Sequence, residues 1–132
     1  MKKTSYITLD EVLAIHEDMV VRYGGSQGIR DLGLIQSAIA KPQSSFGGED
    51  LYPYILDKSA ALFHSLIFNH AFVDGNKRTA IASTARFLAK NGYELDVNEK
   101  EFVKFTLRVE NKHLTIKEIA DWLKKHSKKV KN

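Results

Sequence analysis

Residues 53 to about 69 place apolar side chains on nearly every side of a helical axis. Ile55, Leu56, Ala60, Ala61, Leu62, Phe63, Leu66, Ile67 and Phe68 surround it and form no single stripe. A helix of that kind belongs at the centre of its domain. A second segment, from about residue 75 or 76 to Lys90, is apolar in its middle through Ala80, Ile81, Ala82, Ala85, Phe87, Leu88 and Ala89, and Asn91-Gly92 ends it. Only a short polar stretch joins the two. They are therefore expected to be central neighbours, with the rest of the chain packed around them.

The surrounding helices announce themselves by their caps. Thr8 with Glu11 spells a capping box, and Leu9, Val12, His16, Met19, Val20 and Tyr23 recur at helical spacing as far as Gly24-Gly25. This predicts a helix over residues 8–23. A shorter one over 31–40 ends before Pro42. Asn98 with Glu101 and Thr115 with Glu118 open two more, at about 99–110 and 116–126. Residues 41–52 read as a Gly/Ser-rich loop, Pro53 as a first helical residue, and 93–97 as an extended connector. With no repeat, linker or alternating strand run, the expectation is an all-α, compact single-domain bundle of about six helices.

Composition closes off several function classes. The chain has 132 residues and no cysteine, which suits one domain and removes disulfide scaffolds, thiol nucleophiles and thiolate zinc sites. The longest apolar-rich stretch, 59–72, is interrupted by His64, Ser65, Asn69 and His70, so no membrane span is expected. The N-terminus reaches Asp10 and Glu11 without an apolar segment, which predicts no signal peptide and a cytoplasmic location. The formal net charge of +4 falls to −1 when Lys124, Lys125, Lys128, Lys129 and Lys131 are set aside. The expected division is a domain over 1–123 and a basic, solubilising tail over 124–132, with no direct nucleic-acid or membrane partner.

The junction between the central helices, His70 to Arg78, reads HAFVDGNKR. Gly75 and Asn76 stand at the start of the second helix, where unpaired backbone N–H groups and the positive dipole end suit an anion. Lys77 and Arg78 add two cations matched to phosphate oxygens. Asp74 is a hard oxygen ligand of the kind Mg²⁺ accepts beside phosphates, and His70 is a candidate general base. A phosphate site, a metal ligand and a base together point to group transfer from a nucleotide.

This junction resembles the signature of the Fic family, and Lys77, where typical AMP-transferring members carry glycine, is similar to the Doc (death-on-curing) branch. Residues 24–43, GGSQGIRDLGLIQSAIAKPQ, resemble the segment that precedes the substrate flap in that branch. The resemblance implies that His70 deprotonates a target hydroxyl, Asp74 helps hold Mg²⁺, the Gly75–Asn76 backbone forms an anion hole, and Lys77 and Arg78 grip ATP phosphates. Phe72 would anchor the loop. AMP transferases usually carry a second arginine three positions beyond the first, where this chain has Ile81. The branch thus implies a toxin of a toxin–antitoxin system: a kinase passing the ATP γ-phosphate to a threonine of elongation factor Tu, blocking translation, and restrained by a Phd-like antitoxin. AMP transfer to a protein hydroxyl is the alternative, and a non-catalytic protein- or nucleic-acid-binding module is the rival from another class. Residues 41–52 would be the flap that docks an extended target segment by strand addition.

The other marked residues read more simply. His16 and His64 fall on buried helix faces as core histidines, and Arg30-Asp31 reads as a charged helix start. Phe63, Phe68, Phe72 and Phe87 read as core. Thr106 to Asn111 fits the loose inhibitory pattern of the Fic family, in which a glutamate engages the second arginine. Without that arginine, Glu110 is expected to be an ordinary helix-end residue.

Overall fold

Thr8 and Glu11 close their capping box in full: Glu11 N–H donates to Thr8 Oγ1 and Thr8 N–H donates back to Glu11 Oε1. They start α1 (Leu9–Tyr23), which Gly24 ends at φ 89°. The computed structural model describes residues 3–130. Asp31 caps α2 (Leu32–Ala40) by accepting from Leu34 N–H, which confirms the structural reading of that residue. The helix does not stop dead at Pro42, because a 3-10 turn, Lys41–Gln43, carries it on with proline in its first turn.

The two central helices are α3 (Ile55–Phe68) and α4 (Asn76–Lys90). Helix α3 starts two residues after Pro53, on Tyr54 as cap. It is buried almost without interruption from Lys58 to Ile67 and packs chiefly on α4 and α6 (Ile116–Lys125). Helix α5 (Glu99–Lys112) is capped by Asn98 and α6 by a Thr115–Glu118 capping box. Phe63, Phe102, Phe105 and Trp122 form an aromatic cluster between them, with Phe105 and Trp122 stacked at 3.9 Å. The six-helix, all-α expectation holds.

Four short strands were not expected. Strands β1 (Ser45–Phe46) and β2 (Glu49–Asp50) make a hairpin of the presumed loop, turned at Gly47-Gly48 with both glycines at positive φ. Lys58 anchors its base. This buried ammonium donates to the carbonyls of Tyr52 (2.6 Å) and Pro42 (3.4 Å) and to Asp50 Oδ2 (3.2 Å).

The expected connector contains β3 (Tyr93–Leu95), which pairs antiparallel with β4 (Ser127–Lys129). The boundary drawn after residue 123 therefore needs correcting. Lys124 and Lys125 lie in the last turn of α6, where cations complement the helix dipole, and Lys128 and Lys129 lie on a strand. Lys128 meets Glu94 across the pair at 3.3 Å, and Val130 N–H donates to Gly92 O. The basic segment is folded through residue 130, and lysines on a short exposed strand discourage pairing with other chains. Lys131 and Asn132 lie outside the described residues. No described helix is long and apolar enough to cross a membrane.

Glu11 also ties α1 to α4 through Lys90 (2.5 Å) and Arg86 (2.9 Å). Burial raises its pKa, but these two cations and the Thr8 cap outweigh that and hold it near about 2, against an ordinary 4.5. The depressed value means this stabilisation is complete above pH 4.5 and is lost as the pH falls toward 2. Glu11→Gln is expected to lower stability at neutral pH by about 2 kcal/mol and to flatten the loss of stability across that acid window. Chemical denaturation at a series of pH values measures both.

Candidate active site

The chain leaves α3 through His70, whose φ of 47° is left-handed, and enters α4 through Gly75 at φ 80°. The left-handed backbone favours glycine at position 75, and the space is tight as well, since a Cβ there would lie 3.3 Å from Val20 Cγ2. Between these turns the loop is held by the 24–31 segment. Ala71 O accepts from Arg30 N–H (2.8 Å) and Asp31 N–H (3.0 Å), Val73 N–H donates to Gly28 O, and Ser26 N–H donates to Asp74 Oδ2 at 2.8 Å. Phe72 is buried as expected and stacks on His16 at 3.7 Å.

Asn76 closes the loop on itself. Its carbonyl accepts from Phe72 N–H and its NH₂ donates to Phe72 O, both at 3.0 Å. A carboxamide is needed because one side chain must both donate and accept. The Asn76 side chain is thus spent on structure, and what residue 76 offers a ligand is its backbone. Helices α1, α2, α5 and α6 each have a side-chain N-cap, whereas no side chain caps α3 or α4, and of these two only α4 carries cations in its first turn. Its first-turn N–H groups lie beside Lys77 and Arg78.

His70 and Lys77 both face Glu110 of α5, whereas Arg78 is held at Glu99, three turns earlier on the same helix, so each cation already has a carboxylate partner. Lys77 Nζ is 3.2 Å from Glu110 Oε1, and Glu110 Oε2 is 4.0 Å from His70 Nε2. Arg78 pairs with Glu99 and lies over the Tyr23 ring at 3.9 Å, while Tyr23 OH donates to Glu99 (3.1 Å). The expectation for Glu110 is corrected here. It sits in the last helical turns of α5, yet its carboxylate reaches the site, engaging Lys77 and His70 in place of a second arginine. The Thr106–Asn111 pattern was the available signal. Glu99 and Tyr23 carried none, because they reach Arg78 from distant helices.

A groove of about 600 Å³ opens beside Arg78, lined by Asn98, Glu99, Lys100, Val103 and Lys104. Asp74 is exposed, and Ser26 occupies only one of its oxygens. Of the remaining histidines, His16 is a hydrogen-bonded core residue, as expected. His64 packs half-buried on Phe68, and its pKa is lowered by burial and by the nearby Lys41 charge.

Two buried central helices joined by this histidine-to-arginine loop define a class of six-helix proteins. The chain belongs to the Fic/DOC family, whose model matches residues 6–88. Within it the likeness is to the Doc branch. The chain is 46% identical over 92 residues to "Toxin Doc" of Mycolicibacterium smegmatis, covering 70% of this chain and 68% of that protein. It is 28% identical over 120 residues to "Protein kinase doc" of Escherichia phage P1, covering 91% of this chain and 94% of that one.

The Asn76 pairing is open to a direct check. Asn76→Asp keeps the acceptor but sets a carboxylate against Phe72 O, and it should cost about 1–3 kcal/mol. Denaturant unfolding gives the loss, and faster exchange of the Phe72 amide proton should accompany it.

Proposed function

We propose that the chain is a Doc-like toxin that transfers the γ-phosphate of ATP to a threonine hydroxyl of elongation factor Tu, and so halts translation. The observation that carries the reading is the side-chain-free N-terminus of α4, with Lys77 and Arg78 in its first turn and His70 across the loop. The names of the two relatives, a toxin and a protein kinase, point the same way. So does Ile81, which packs against the core where AMP transferases usually hold a second arginine.

In this reading the Gly75 and Asn76 N–H groups and the two cations receive the phosphates. His70 takes the proton of the threonine hydroxyl as its oxygen attacks the γ-phosphorus. The bond to the bridging oxygen breaks, and ADP leaves with that electron pair. Mg²⁺ arriving with the nucleotide supplies neutralisation of phosphate charge. Asp74 would fit such an ion, offering one hard oxygen beside the phosphates and water that would complete its shell.

Lys77 and Arg78 must exchange their α5 carboxylates for phosphate oxygens, so Glu99 and Glu110 act as counter-ions until nucleotide arrives. The β1–β2 hairpin, with Phe46 82% exposed, offers backbone for an extended target segment, and a Phd-like antitoxin would restrain the enzyme.

Purified chain incubated with elongation factor Tu and ATP labelled at either the γ or the α position tests the assignment. Label should pass to the factor only from the γ position, and His70→Ala should lower the rate at least about a hundredfold. Transfer from the α position alone would make the chain an AMP transferase. No transfer from either position would leave the non-catalytic module.

A further inference from the structure

His16 lies on α1, 58 residues before Asp74, and is only 4% exposed. Its Nε2 is 2.7 Å from the carbonyl oxygen of Asp74, and its ring stacks on Phe72 with 9° between the ring planes. A carbonyl oxygen can only accept, so Nε2 carries the proton. The Asp74–Gly75 peptide is trans, since no described peptide bond is cis. In a trans peptide the C=O and N–H point in opposite directions. With the carbonyl drawn down onto His16, the Gly75 N–H is turned away from α1 and toward the open end of α4.

The geometry points to His16 as a positioning residue of the anion-binding loop: its Nε2–H, acting through the Asp74 carbonyl, aims the Gly75 N–H at the nucleotide phosphate. This rests on the reading of the loop as the phosphate site. It assigns to α1 a part in ligand binding although His16 itself touches no ligand. A residue that only fills space makes the opposite prediction on substitution. Phenylalanine keeps the stacked ring in an apolar setting but has no donor. Glutamine loses the ring but places an amide N–H where Nε2 stands.

The test uses the full chain and Mg-ATP. Nitrogen NMR of the His16 ring should find the proton on Nε2, and a ring protonated only on Nδ1 would overturn the inference. Calorimetric titration with Mg-ATP should show His16→Phe binding about tenfold more weakly than the unaltered chain and His16→Gln within about threefold of it. Thermal unfolding run beside it shows whether affinity follows the donor or the stability. The reverse order, with phenylalanine binding normally and glutamine poorly, would identify a packing residue and overturn the inference while the phosphate site stands. Failure of the unaltered chain to bind Mg-ATP would remove the site itself and this inference with it. If His16→Phe does not fold, His16→Asn replaces it. Its amide is one carbon too short to reach, so binding as tight as that of His16→Gln would overturn the proposal.

Discussion

The chain must pass from one buried helix to another within seven residues, and every polar backbone group it carries down with it needs a partner. That constraint organises the molecule. The carbonyls of Ala71, Phe72 and Asp74 are received by Arg30 and Asp31, by Asn76, and by His16, respectively. With three carbonyls held from within, the first N–H groups of α4 are left facing outward. The left-handed turns at His70 and Gly75 are the local cost, offset by these bonds and by the buried Phe72 ring.

The same constraint explains the surroundings. Helix α1 and the 24–31 segment lie against the loop because they supply its donors, and glycines 25 and 28 let that segment approach closely. A Cβ at either would come within 3.1 Å of Asp74 or Val73 side-chain atoms. Helix α5 supplies no loop donor. Instead it brings Glu99 to Arg78 and Glu110 to Lys77. Lys58 does for the hairpin what His16 does for the loop, tying its base to the central helix by carbonyls.

The helices were legible because their signals are local. A cap and its partner are three residues apart, and an all-round apolar helix shows itself within its own length. The strands were not legible. The β3–β4 pair joins residues more than thirty apart, and the Ser127–Lys129 strand has no apolar alternation to mark it. The site divides in the same way. His70, Asp74, Lys77 and Arg78 lie within nine residues and could be read together, whereas Glu99, Glu110 and Tyr23 reach them only through the packing of α5 and α1 against α4. Asn76 was legible as a site residue, but its side chain turned out to serve the loop, since its two bonds run to a residue four positions back.

On the proposed function, phosphate binds to the backbone at the start of α4 rather than to the lysine-rich C-terminal strand. Amide NMR during a titration with ATP, and with inorganic triphosphate as the base-free control, locates the anion residue by residue. The largest shifts are expected on the amides of Gly75, Asn76 and Lys77 with both ligands. Shifts concentrated on residues 124–130, with the loop amides unmoved, would contradict it.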